Sequence, residues 1–188
     1  MTKAIIFDCF GVLATEAWLP FKAKYFGHDP DLLAQVEAIS WQANRGIIRR
    51  DTAIQQTAKL AGLAVEDVIQ AIDRNAPNEE LFAYIRELEK EYKIGLLSNI
   101  AGNFLYQIFT DEHLALFDVV SLSFEKGYAK PQARAFETIA EELDVEPAEC
   151  VLVDDQERNI TGAREAGMKA ILYKNVPQLK KDLAKLLD

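Results

Sequence analysis

The chain has 188 residues, 49% hydrophobic and 27% charged, which suits one folded unit or one core carrying an inserted module. A formal net charge of −9 argues against partners gripped by a basic face, such as nucleic acid or anionic lipid. Two cysteines, Cys9 and Cys150, are too few for a disulfide framework and lack metal-type spacing, so both read as buried free thiols in a reducing compartment.

The first apolar run, Ala4–Phe7, reads as a strand and ends in Asp8. It is too short for the apolar stretch of a signal peptide, and no segment approaches the ~20 apolar residues of a membrane span. The expected location is therefore the cytoplasm. Residues 8–92 contain no second strand pattern. They carry helical periods over Ala17–Tyr25, Asp31–Asn44, Asp51–Ala61 and Val65–Asn75, with Asp31 and Asp51 placed as N-caps or first-turn acids. Pro77 marks the exit from this helical stretch.

Beyond it, strands and helices alternate. Glu79–Tyr92 is a helix, with Leu81, Phe82, Ile85 and Leu88 on one face. Lys93–Leu97 and Val119–Leu122 are strands. Gln132–Leu143 is a second amphipathic helix. Cys150–Val153 is a strand, Asn159–Ala166 a short helix stopped by Gly167, Ala170–Tyr173 a fifth strand, and Gln178–Leu187 a closing helix. The strands are nearly continuous apolar runs, as expected of parallel strands covered on both faces. The pattern predicts a doubly wound α/β fold with a five-stranded parallel sheet and a helical module inserted after the first strand.

Ligands of open α/β sheets bind beyond the carboxyl ends of the strands. Four of the five strands are followed there by polar residues: Asp8, then Ser98-Asn99, then a loop reaching Lys130-Pro131, then Asp154-Asp155. Taken singly, each has an ordinary explanation as a turn, a cap or a solvated lysine. Together they suit one chemistry. Clustered carboxylates hold Mg²⁺, a hydroxyl and a lysine hold phosphate oxygens, and an aspartate can attack phosphorus.

In this order the residues resemble the four motifs of the haloacid dehalogenase superfamily. Ile5-Ile6-Phe7-Asp8-Cys9-Phe10-Gly11-Val12-Leu13 resembles the first motif, which carries the nucleophilic aspartate. Leu96-Leu97-Ser98-Asn99 resembles the second, and Ala129-Lys130-Pro131 the third. Val151-Leu152-Val153-Asp154-Asp155, with Asn159-Ile160 and Ala163 behind it, resembles the acidic fourth. The resemblance spans Lys3 to about Tyr173. It implies a Rossmann-like core over residues 1–14 and 77–188 and a small α-helical cap over residues 15–76.

The resemblance further implies Asp8 and Lys130 as catalytic residues, and Ser98, Asn99 and Lys130 as phosphate-binding residues. It implies an Mg²⁺ site of Asp8, the Phe10 backbone carbonyl, Asp155 as direct ligand and Asp154 as helper. The paired acids resemble the Mg²⁺-dependent phosphatase branch, whose members hydrolyse small phosphomonoesters such as sugar phosphates or nucleotides. One position departs from it. Phosphatases of this family place a second aspartate two residues after the nucleophile as general acid and base, and here that position is Phe10. General acid–base work typically contributes about 10²–10⁴-fold, so slow turnover is one expectation. A metal-independent 2-haloacid dehalogenase and a non-catalytic binder of a phosphorylated ligand are the alternatives.

Glu16, in the flap after the first motif, is a candidate substitute for the missing acid. Arg45, Arg49 and Arg50 join two expected helices and are positioned either to attract an anionic substrate or to form a solvated turn. Trp18, Trp41 and Tyr25 suit the helical module's own core, with Trp18 nearest the flap and a candidate for substrate contact. His28 and His113 are isolated and suit surface or capping positions. The expected partner is a small anionic phosphorylated metabolite, with no nucleic acid and no membrane, acting on a monomer or homodimer.

Overall fold

The computed structural model describes residues 1–187. Five parallel strands form one sheet: β1 (Ala4–Phe7), β2 (Lys93–Ser98), β3 (Val119–Leu122), β4 (Cys150–Asp154) and β5 (Lys169–Leu172), in spatial order β3-β2-β1-β4-β5. The chain builds outward from β1 through β2 to β3, then returns to β1's other side for β4 and β5. The order therefore reverses between β1 and β4, and that is where an α/β sheet opens a crevice at its carboxyl edge. Phe7 pairs with Leu96 on one side and Val153 on the other, so the next residue, Asp8, stands beside Asp154.

The continuous apolar runs follow from burial on both faces. Ile5 and Phe7 face α5 (Glu79–Leu88), and α10 (Val176–Leu183) packs into the same cluster through Val176, Leu179 and Leu183. Ala4 and Ile6 face the opposite side. There α8 (Ala133–Glu142) contributes Phe136 and Ile139, and α9 (Glu157–Glu165) contributes Ala163. Each fully buried Ile or Phe of this kind stabilises the fold by roughly 1.5–3 kcal/mol before conformational entropy is counted.

Between β1 and α5 lie four helices: α1 (Trp18–Phe26), α2 (Pro30–Asn44), α3 (Arg50–Ala61) and α4 (Val65–Ile72). They bury a separate cluster of Phe21, Phe26, Val36, Ile54, Ala58 and Val68. Helix α2 starts one residue before the expected position. Its N-cap is Asp29, whose carboxylate accepts from the backbone of Asp31 and Leu32, and Asp31 is the first-turn acid. The two chain segments joining this layer to the sheet are tied together. Thr15 donates its N–H to Ala76 O (2.9 Å) and Asn78 donates to Leu13 O (2.8 Å).

Two four-residue helices, α6 (Asp111–Leu114) and α7 (Ser123–Lys126), have no sequence counterpart, because one turn is too short to show a period. One of them changes the reading of a histidine. His113, expected at the surface or as a cap, lies inside. Its ring stacks on Phe82 with centroids 4.1 Å apart, and its Nε2 is 3.2 Å from Glu79 Oε2. His28 is exposed, as expected.

Candidate active site

The ends of β1 and β4 and the loop after α7 bring Asp8, Asp154 and Lys130 into one buried row. Lys130 Nζ lies 2.8 Å from Asp8 Oδ1 and 2.7 Å from Asp154 Oδ2. Lys130 is only 1% exposed, so its charge is carried by these two partners and not by water. Its backbone is clamped as well. Asn99 Nδ2 donates to Lys130 O (2.8 Å), and Lys130 N–H donates to Asn99 Oδ1 (2.9 Å). Asn99, expected to contact phosphate, commits its amide to holding Lys130 in place, while its side chain still borders the cavity.

Asp154 is equally constrained. Its oxygens accept from Asn159 Nδ2 (3.0 Å to each) and from Gln156 N–H (2.9 Å). Helix α9 brings Asn159 here by approaching the Lys130-Pro131 loop closely at Gly162. A Cβ on that residue would stand 2.7 Å from the Pro131 carbonyl oxygen. Asp8 Oδ1 accepts from the Cys9 N–H (2.7 Å) as well as from Lys130. Asp8 Oδ2 takes part in no hydrogen bond among the described residues.

Asp155 differs from its neighbour. Its Oδ1 is buried and has no partner among the described residues. Gly11, at φ +84°, is the residue that makes room for it, since a Cβ there would sit 2.2 Å from Asp155 Oδ2. In the same turn Gly11 N–H donates to Ala14 O and Ala14 N–H donates to Cys9 O, which leaves the Phe10 carbonyl free among the described residues. Oxygen atoms of Asp8, Asp154 and Asp155 lie within 4.8 Å of one another. Hard oxygen donors this close, one of them buried without a partner, fit a small divalent cation such as Mg²⁺. Ser98 Oγ is also fully buried without a partner among the described residues, a hydroxyl with an unused donor.

The electrostatics point the same way. Three carboxylates share one ammonium, and burial pushes the Asp8 carboxyl up to about 8 against the pull of Lys130, with Asp154 and Asp155 adding to the rise. Asp155 is raised by burial and by Asp154. Lys130 is raised by Asp154 and Asp8 despite its burial, which works in the opposite direction. A divalent cation offsets this excess of negative charge.

Above this floor is a cavity of about 350 Å³ bounded by Asp8, Phe10, Asn99 and Lys130 below and by the four-helix layer above. Phe10 lines it, its ring 6.2 Å from that of Phe104. Glu16 and Trp18 line it too. Glu16 is raised by burial, and its Oε1 accepts from the backbone of Trp18 (2.5 Å) and Leu19 (3.1 Å), so it caps the start of α1. Trp41, expected inside the helical module, borders the cavity and is 37% exposed.

Arg45 and Arg49 do not border the cavity. Arg45 donates to Gly127 O (2.9 Å) and lies over the Trp41 ring, and Arg49 is 86% exposed beside Asp51. Arg50 is the arginine that reaches the cavity. It pairs with Asp73 (2.5 Å) and lies over the Phe104 ring. The helix begins at Arg50, and successive helical residues point about 100° apart, which separates it from Arg49.

A profile of haloacid dehalogenase-like hydrolases matches residues 2–167. The chain belongs to that family. It is 28% identical over 174 residues to the sesquiterpene phosphatase astK of Aspergillus oryzae, covering 88% of this chain and 87% of that protein. It is 26% identical over 206 aligned positions to the D-ribitol-5-phosphate phosphatase of Bacteroides thetaiotaomicron, across 100% of both chains. The crystal structure of the family enzyme bt-2542 from Bacteroides thetaiotaomicron, a complex with magnesium and inorganic phosphate, superposes with a TM-score of 0.71 at 23% identity. That superposition covers 93% of this chain and 95% of the other, and it is a likeness of fold.

Within this candidate site, sequence reasoning named Arg50 among three arginines but missed the parts played by Asn159, Gly11 and Phe104. Asn159 had a signal, one helical turn behind the paired acids. Gly11 had one in its place after the nucleophile candidate. Phe104 had none, because its loop carries no periodicity. The described residues contain no helix long and apolar enough to cross a membrane.

Proposed function

We propose that this hydrolase is an Mg²⁺-dependent phosphomonoesterase working through an aspartyl-phosphate. The observation that carries the reading is the Asp8–Lys130–Asp154 row with a free Asp8 oxygen at one end and an unpartnered Asp155 oxygen beside it. Two curated relatives that align over most of this chain are named phosphatases, one of a sesquiterpene and one of a polyol phosphate.

Asp8 Oδ2 attacks phosphorus, a new P–O bond forms, and the bond to the departing alcohol breaks. Lys130 favours the ionised form of Asp8 and aligns it, and with Ser98 Oγ contacts the phosphoryl oxygens as charge builds on them. Water then cleaves the aspartyl-phosphate and returns Asp8. Asp8, Asp155 and the Phe10 carbonyl would hold Mg²⁺, with Asp154 supporting through Lys130. The bound ion supplies the positive charge that lets an anionic phosphate approach an anionic nucleophile. Phe10 offers no proton to the departing oxygen, so good leaving groups are turned over best. In this reading residues 15–76 are a cap over the core of residues 1–14 and 77–188, and they exclude water from the reaction.

The test is hydrolysis of 4-nitrophenyl phosphate with Mg²⁺, with EDTA, and by the Asp8→Asn variant. Turnover that requires both Mg²⁺ and Asp8 is expected. Activity no higher than that of Asp8→Asn, or indifferent to EDTA, rejects the proposal.

A further inference from the structure

Resting on the phosphatase reading, the geometry of the cavity assigns the leaving group: we infer that the substrate is the monophosphate of a long apolar alcohol, an alkyl or isoprenoid chain, whose tail runs into the interior of the four-helix layer. The cavity does not stop at the boundary between sheet and helices. It continues from Asp8 and Phe10 to Ile54 and Val68, which belong to the buried cluster of the helices themselves. A volume of about 350 Å³ is that of a ligand pocket and far exceeds a packing defect.

Its wall beyond the floor is largely aromatic and aliphatic, with Phe10 and Phe104 from the sheet side and Trp18, Leu19, Ile54 and Val68 from the helices. Most of the charged groups that reach the wall are already bonded, and Arg158 holds Gln156. Lys22 pairs with Glu37 (2.8 Å), Arg50 pairs with Asp73, and Glu16 accepts from two backbone amides. The Ser40 hydroxyl donates to Val36 O. Asn75 Oδ1 is buried without a partner among the described residues and can meet one hydroxyl or one water, and Asn44, Thr57 and Arg158 add further polar groups to the lining.

A sugar or polyol whose hydroxyls lay against the Ile54 and Val68 end would exchange hydrogen bonds to water for fewer to protein, an unfavourable trade. An apolar chain gives up no hydrogen bonds on entry and removes its own surface from water. Selection by the tail also fits the site chemically. Binding energy from the non-reacting part of a substrate can offset weak chemistry at phosphorus, and Phe10 leaves that chemistry without its usual proton donor.

The experiment compares kcat/KM with Mg²⁺ for n-butyl, n-hexyl and n-octyl phosphate, farnesyl phosphate, glycerol 3-phosphate and ribitol 5-phosphate. Acetyl phosphate serves as a substrate with almost no tail. The expected result is a rise of about fourfold per added methylene across the alkyl series, with both polyol phosphates below butyl phosphate. Ala53 also lines the cavity, and Ala53→Phe should lower the octyl-to-acetyl ratio by about tenfold through overpacking. Should that variant not fold, the chain-length series on the unaltered protein decides alone.

Ribitol or glycerol phosphate turned over as well as octyl phosphate overturns the inference and leaves the phosphatase reading standing. If even acetyl and 4-nitrophenyl phosphate are not hydrolysed, calorimetry separates the two. Octyl phosphate binding more tightly than butyl phosphate upholds the apolar cavity while rejecting hydrolysis, and equal affinities reject both.

Discussion

The floor and the roof of the cavity are built on opposite rules. In the floor, Asp8, Lys130 and Asp154 are buried and each has at least two partners; Asp8 and Asp154 stand at strand ends, and Lys130 sits in a loop clamped by Asn99. In the roof, the charged groups pair with each other at the edge, and what faces the cavity is largely interchangeable apolar surface. A floor residue cannot move without breaking that network, and strand register also sets the positions of Asp8 and Asp154. A roof residue can change size or shape at modest cost. On the proposed reading, the reaction belongs to the fixed region and the choice of substrate to the adaptable one.

The sharpest way to break the floor is Lys130→Met, which keeps length and removes charge. It leaves Asp8 and Asp154 facing each other across a buried gap. Breaking such a pair typically costs about 3–5 kcal/mol of stability, and loss of a donor to the phosphoryl oxygens costs about 10²–10³ in turnover. Urea unfolding and steady-state rates with 4-nitrophenyl phosphate read the two effects. Arg49→Ala in the roof should stay within about 0.5 kcal/mol by the same unfolding measurement, since Arg49 is a solvated side chain. Equal losses in the two variants would erase the distinction.

Phe10 stands on the boundary, with a backbone belonging to the floor and a ring belonging to the roof. Phe10→Asp should convert the boundary into floor chemistry. General acid–base work is worth up to about 10²–10⁴-fold, but an acid introduced without evolved support should recover only part, about tenfold on an alkyl phosphate. The gain should be smaller on 4-nitrophenyl phosphate, whose departing oxygen needs no proton. A variant that folds, shown by an unchanged circular dichroism spectrum, yet gains nothing on either substrate counts against turnover by this site.

Most of the floor was legible in the sequence because strand ends converge. Once Ala4–Phe7 and Cys150–Asp154 are neighbouring parallel strands, Asp8 and Asp154 have to meet. Tertiary partnerships were less legible. Asn99 reads as a phosphate contact by residue type, yet it clamps the backbone of Lys130, 31 positions away, which no local pattern reveals. The roof was least legible. Whether Arg45, Arg49 or Arg50 meets the cavity depends on where α3 begins, and a shift of one residue turns a side chain by about 100°. Helical boundaries cannot be read from the sequence to that accuracy.

The floor also carries a pH dependence that the roof lacks. Burial lifts the Asp8 carboxyl to about 8 in the protein without metal, against an ordinary value of about 3.9 for the unfolded chain. A carboxyl raised in this way disfavours its own ionisation in the fold. Its contribution to stability is therefore full below about pH 4 and is lost as pH rises towards 8. Mg²⁺ needs the carboxylate, so the ion must displace a proton below the folded value and binds without that cost above it. Between pH 7 and pH 6, Mg²⁺ affinity should fall by at most about tenfold, roughly 1.4 kcal/mol, for one proton displaced. Thermal melts with saturating EDTA or 5 mM-scale Mg²⁺ should show Mg²⁺ raising Tm more at pH 8 than at pH 6. In Asp155→Asn, which removes the charge of the unpartnered carboxylate, the Mg²⁺-induced rise should shrink at both pH values. An Mg²⁺ effect that does not vary with pH would mean that Asp8 is already ionised in the free protein and that Lys130 alone balances the floor.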